Sequence, residues 1–303
     1  MKPDGAVSHG RKKMNQEINQ VVDAYTLLGE ASAGGNSPEE FRLAHKPTEE
    51  FQRLIDGRKA VALDVDGTIV RYQSPMVQAQ TYFQGLRLRF VRPSCLTERE
   101  KRDLEKELWK VVEEVHVTHH YNELAPRCFE LLKCAGLVHG IRDHVQMDNE
   151  ITPLRGKFVL PAFVQAGWVQ RMEGAHRMCD ALARQEITVR VNTTTPYMVA
   201  EGYLPKTITT NTGALTYRES GAVFGCEVKE KKPNRLCLDL FCKKNARALD
   251  EVIVIDDAWS FVETSLEAGV GGAVWIGNDS ERAQRFGGRL LVVKSVEKLT
   301  EIA

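Results

Sequence analysis

Apolar residues along this chain fall into two patterns. Short continuous runs occur at Ala60-Val61-Ala62-Leu63, at Ile187 to Val191 (ITVRV), at Glu251 to Ile255 (EVIVI), at Gly272 to Gly277 (GAVWIG) and in the GRLLVV segment near the C-terminus. Runs without alternation are what strands buried on both faces of a parallel sheet require. From about Tyr72 to Trp168 the spacing changes to three and four, the period of helices with one apolar face. The clearest of these starts at Thr97-Glu98-Arg99-Glu100, a capping box, and places Leu104, Leu108, Val111, Val112 and Val115 on one stripe. A second is APRCFELLKCAGL. Strand and helix then alternate. Helices are predicted over Glu173 to Gln185, over NRLCLDLFCKKNA and over Trp259 to Ala268, the last stopped by Gly269. Residues 208–224 read as a hairpin turning at Glu219-Ser220-Gly221, and the chain closes on a strand and a helix.

This alternation predicts an α/β fold with a parallel-sheet core. Roughly a hundred residues of helix after the first strand exceed any ordinary crossover and read as an inserted domain. The expected division is 1–58 as a partly helical N-terminal extension, 59–72 with 169–303 as the core, and 73–168 as the helical insertion. Residues 1 to about 35 read as loosely attached. Helix starts are signalled at Ser37-Pro38-Glu39-Glu40 and at Thr48-Glu49-Glu50, with Gly57 as a stop.

Composition narrows the partners. Acidic and basic side chains balance at 41 each, so no net field points to nucleic acid or an anionic membrane. Seven cysteines without a C-x-x-C pair suit a reducing compartment. No apolar run is long enough for a membrane span, and the N-terminus lacks a signal-peptide core, which makes a cytoplasmic protein the expectation.

Chemistry concentrates at strand ends. The first run continues as Asp64-Val65-Asp66-Gly67-Thr68, two acids in alternation. Such a pair is costly unless a cation or proton relieves it, so the stretch reads as a Mg²⁺ site with one carboxylate left for chemistry. The glycine position excludes an EF-hand. Asn192-Thr193-Thr194-Thr195-Pro196 follows the second run, hydroxyls suited either to an anion or to capping the next helix. The third run ends in Asp256-Asp257, preceded by KEKKPN with Lys229, Lys231 and Lys232. His116, His119 and His120 lack the glutamate of H-E-x-x-H and read as solvated or cleft-lining. GVGGAV precedes a strand rather than following one, so it is no dinucleotide fingerprint.

In this order, D-V-D-G-T, a hydroxyl-ended strand, Lys before Pro and an apolar run closed by two aspartates, the chain resembles the haloacid dehalogenase-like hydrolase superfamily. The resemblance covers about 59–72 and 170–300 and implies a Rossmann-like core with a cap inserted after the first motif. It implies Asp64 as nucleophile and Asp66 as general acid and base. Phosphate falls to Thr193, with Asn192 and Thr194 as rivals, and charge neutralisation to Lys232, with Lys229 and Lys231 competing. Mg²⁺ falls to Asp64, the Asp66 carbonyl, Asp256 and neighbouring Asp257. Aspartate at position 66 favours a phosphatase over phosphoryl-storing or dehalogenating members. The expected activity is Mg²⁺-dependent hydrolysis of a small phosphate ester through an aspartyl-phosphate. The alternatives are a nucleic-acid or nucleotide terminal phosphatase and a non-catalytic binding module.

Overall fold

A computed structural model describes residues 17–23, 45–118, 123–172, 174–200, 202, 207–210, 213–216, 221–225, 235–278 and 281–303, with the backbone alone at 171, 207–210, 213–216 and 282–284. The chain forms two compact units. One comprises Gly34–Arg71, Arg171–Ala200 and Leu204–Ala303; the other comprises Met1–Ala33, Tyr72–Gln170 and Glu201–Tyr203.

The first unit is built on a five-stranded parallel sheet. Its order is Leu290–Val293, Gly272–Ile276, Val252–Asp256, Ala60–Leu63, Thr188–Val191. The unbroken apolar runs are explained by burial, since every residue of Ala60–Leu63 and of Val252–Asp256 is buried. On one face Ala62, Val254 and Ala273 pack with Phe241 of helix Leu236–Asn245 and with Phe261 and Leu266 of helix Trp259–Ala268. A parallel bridge from Asn192 to Val223 lengthens the sheet at its Thr188–Val191 edge. From Ala60–Leu63 the chain proceeds to one side of the sheet and later returns to the other, at Val252–Asp256. The strand order reverses there, and open α/β sheets bind ligands beyond the carboxyl ends of strands at such a reversal.

The second unit is helical. Helices Pro75–Leu86, Glu98–Thr118, Leu124–Cys134 and His144–Leu154 bury Phe83, Leu108, Val112, Phe129, Leu132 and Met147 together. The capping box forms: Thr97 N–H donates to Glu100 Oε2 at 2.7 Å, and Glu100 N–H donates to Thr97 Oγ1 at 3.3 Å. No helix among the described residues is long and apolar enough to cross a membrane.

Four details depart from the sequence reading. The hairpin pairs Thr207–Thr210 with Gly213–Thr216, so two residues, not Glu219-Ser220-Gly221, separate its strands. Ala222 to Phe224 instead meets the main sheet at Val223, because that apolar triplet has a ladder partner in Asn192. The C-terminus ends in strand Thr300–Ile302, antiparallel to His45–Pro47, after a single 3-10 turn at Val296–Leu299. That turn sets Val296 and Leu299, three residues apart, on one side, and both are fully buried. Residues 17–23 are helical and firmly seated: Ile18 and Val22 are fully buried, and Asp23 takes a two-pronged fork from Arg87 at 2.8 Å per bond. Of the two readings for His116, solvated or cleft-lining, burial excludes the first, because His116 continues the Leu108–Val112 stripe one turn on. The start predicted at Ser37, together with His119 and His120, lies outside the described residues.

Candidate active site

Two adjacent parallel strands deliver the acids. Asp64 N–H donates to the Ile255 carbonyl at 2.9 Å, continuing the ladder beyond Leu63 and aligning Asp64 with Asp256. Both are buried, at 6% and 1% exposure, whereas Asp257 is exposed. Carboxylate oxygens of Asp64, Asp256 and Asp257 lie within 4.8 Å of one another. Asp256 Oδ1 accepts the Ala258 N–H at 2.8 Å, which turns the chain into helix Trp259–Ala268. The Trp275 indole N–H donates to the Asp257 carbonyl at 2.9 Å and fixes the backbone of the exposed member.

The loop after Asp64 closes on itself. Ile69 N–H donates to the Val65 carbonyl at 2.9 Å, and Gly67 N–H donates to the Val70 carbonyl at 2.8 Å. Gly67 has φ +81, and a Cβ there would stand 2.0 Å from Asp257 Oδ2. Glycine is therefore required twice, for the left-handed backbone and for the approach of the Asp257 carboxylate. The half-buried Asp66 is not in the three-acid cluster; its Oδ2 accepts the Thr195 hydroxyl.

The hydroxyl cluster divides its work. Asn192 N–H donates to the Leu63 carbonyl at 2.8 Å, so Asn192, buried at 1% exposure, stands in the row of Asp64 and Asp256. Thr193 N–H donates to the Val223 carbonyl at 3.0 Å, and its hydroxyl oxygen accepts the Thr195 N–H at 3.3 Å. Thr194 is half-buried. Lys229, Lys231 and Lys232 lie outside the described residues. Three participants carry little sequence signal: Thr195, Trp275 and the Gly67 contact. Thr195 shows in the sequence as one of the hydroxyls after the second run, and the proline after it restricts its conformations, but neither points to Asp66.

The donor set fits a hard divalent cation. Three carboxylates held this closely repel one another, and Mg²⁺ takes oxygen ligands of this kind.

No family model matches the chain, and no curated protein does. Solved structures similar to it include a hydrolase from Pseudomonas syringae, at 15% identity and TM-score 0.47, covering 80% of this chain and 96% of that one. CbbY from Rhodobacter sphaeroides in complex with phosphate gives 16%, 0.48, 80% and 96%. A HAD hydrolase, family IA, variant 3, from Entamoeba histolytica gives 15%, 0.47, 79% and 94%. At these identities and scores the likenesses carry no inference about substrate or chemistry. The fold is α/β on the chain's own evidence.

Proposed function

We propose that this chain is a haloacid dehalogenase-like phosphatase, a Mg²⁺-dependent hydrolase of phosphate monoesters whose substrate is a small phosphorylated metabolite. The observation that carries the reading is the cluster of Asp64, Asp256 and Asp257 at the strand-order reversal, with Asp66 held beside it by Thr195. A side-chain carboxylate oxygen of Asp64 attacks phosphorus, and the bond to the leaving oxygen breaks. Asp66 donates its proton to that oxygen. Asp66, now a carboxylate, takes a proton from water as the water oxygen attacks the aspartyl-phosphate, releasing phosphate and restoring Asp64. Asp64, Asp256 and Asp257, with the Asp66 carbonyl, would hold Mg²⁺. When bound, the ion supplies charge neutralisation between carboxylates and phosphate. Asn192, Thr193 and Thr194 are the candidates for the phosphate oxygens, and a lysine of the 229–232 run for the remaining charge. The balanced net charge supports a small ester over a nucleic-acid end, and the cysteine usage supports a cytoplasmic setting.

The test is hydrolysis of 4-nitrophenyl phosphate with and without Mg²⁺, alongside Asp64→Asn, followed by a panel of metabolite phosphates. Turnover that needs both the ion and Asp64 is the expected result. Turnover that survives Asp64→Asn would overturn the assigned nucleophile. Mg²⁺ binding without turnover on any ester would sink the phosphatase reading.

A further inference from the structure

We infer that Thr195 is a positioning residue for Asp66, its hydroxyl holding the Asp66 carboxyl in the orientation from which it serves the leaving oxygen. This inference rests on the phosphatase reading above. Thr195 Oγ1 donates to Asp66 Oδ2 across 129 residues of sequence. That bond engages one oxygen of the Asp66 carboxyl, Oδ2. Asp66 needs such a restraint, because it follows the end of its strand in a self-closed loop and is only half-buried.

Thr195 is itself built to be rigid. It is β-branched, which limits χ1, and it precedes Pro196, which limits its backbone to extended conformations. Its N–H donates to Thr193 Oγ1 at 3.3 Å, and its carbonyl accepts the Gly225 N–H at 3.2 Å. Gly225 approaches so closely that a Cβ there would lie 1.9 Å from the Thr194 carbonyl oxygen. The rings of Tyr197 and Phe224 pack edge to face at 5.2 Å, fastening the same two segments on the far side of Pro196. The hydroxyl is thus anchored to the sheet edge through Val223, to which Thr193 N–H also donates. A merely buried threonine needs any acceptor, whereas this one is clamped on both sides and aimed at the proposed acid.

The leaving group separates positioning from structural support. A good leaving oxygen departs with little help from an acid, while an alkoxide needs the proton. Thr195→Val keeps the shape and removes the donor, and Thr195→Ser restores it. The measurement is kcat and KM for 4-nitrophenyl phosphate and for glycerol phosphate, in wild type, Thr195→Val, Thr195→Ser and Asp66→Asn, with circular dichroism to confirm folding. We expect Thr195→Val to lower kcat about tenfold or more on the alkyl ester, a small part of what a general acid contributes, and about twofold on the aryl ester. KM should stay near wild type, Thr195→Ser should recover most of the loss, and Asp66→Asn should bend the profile the same way and further. An equal loss on both esters, or no recovery with serine, overturns the positioning role. If wild type turns over and Asp64→Asn is dead while Thr195→Val matches wild type, this inference fails and the phosphatase reading stands. A wild-type chain without turnover on either ester overturns both.

Discussion

Cysteine reactivity divides this chain by burial. Cys95 and Cys134 are exposed, while Cys128, Cys179, Cys237 and Cys242 are buried. Burial pushes the Cys128 thiol up to about 12, with the nearby Asp148 carboxylate adding to it; burial beside Asp180 does the same for Cys179. Cys242 is raised to about 11, again by burial first and by Asp239 second. The thiolate is the reactive form, so at about pH 8 these three are almost wholly inert for two independent reasons. Peptide mapping after brief iodoacetamide treatment of the native chain should find Cys95 and Cys134 alkylated and Cys128, Cys179 and Cys242 untouched until denaturant is added. Labelling of Cys179 at the rate of Cys95 would contradict the packing of helix Gly174–Ala183. The same scale explains what the residues disclosed in advance. Asp64, Asp66, Asp256 and Asp257 stand out in the sequence because acids directly after apolar runs have no packing role. Thr195 stands out only as one of several hydroxyls, and its bond to Asp66 does not show, because that partner lies 129 positions away.

Elements were legible where one period persisted and illegible where pairing was distant. The five core runs became five parallel strands, and the 3.6-residue stripe of Glu98–Thr118 became a helix with its capping box in place. The three-residue strands His45–Pro47 and Thr300–Ile302 are too short to carry a period and exist only because they pair. The helical segment at 17–23 is the most informative departure. Asn19 Oδ1 accepts from the Gln84 amide at 2.6 Å, and Arg87 serves both Asp23 and Glu105, the latter at 3.0 Å. The paired carboxylates hold the guanidinium charged, offsetting the cost of burying it, and its pKa is raised. Replacing Arg87 by Ala removes the pair to Glu105 and leaves Asp23 only its longer pair to Arg92, at 3.5 Å. Because the group is partly shielded from water, at 11% side-chain exposure, we expect a loss of about 2 kcal/mol. Asp23→Ala is the milder change, since Glu105 still pairs with Arg87. It should free the N-terminal segment to limited trypsin digestion while the helical unit persists. Trypsin resistance equal to wild type would mean that Ile18 and Val22 hold the segment without the ion pair.

At the scale of the whole molecule, the acidic cluster of the sheet unit is an electrostatic cost that a bound cation would relieve. Nothing in the packing of Val252–Asp256 requires two successive aspartates, and their charges with Asp64 oppose folding when no cation offsets them. A ligand that binds only the folded state adds RT ln(1 + [L]/Kd), or ~2.7 kcal/mol at a hundredfold excess over Kd. The sign of the Asp257→Asn change therefore depends on the ion. Without Mg²⁺ the variant loses a repulsion and keeps the backbone bond from Trp275, so it should melt at or above the wild-type temperature. With Mg²⁺ it has one charged ligand fewer, and its upward shift should shrink well below that of wild type. Calorimetry on both proteins, with EDTA and with millimolar Mg²⁺, reads the two effects separately. A variant that melts lower in EDTA would mean the Asp257 carboxylate holds the Gly67 loop through contacts that outweigh its repulsion. An undiminished Mg²⁺ shift would remove Asp257 from the ligand set and leave Asp64 and Asp256, the two acids aligned across adjacent strands, to hold the ion with backbone help.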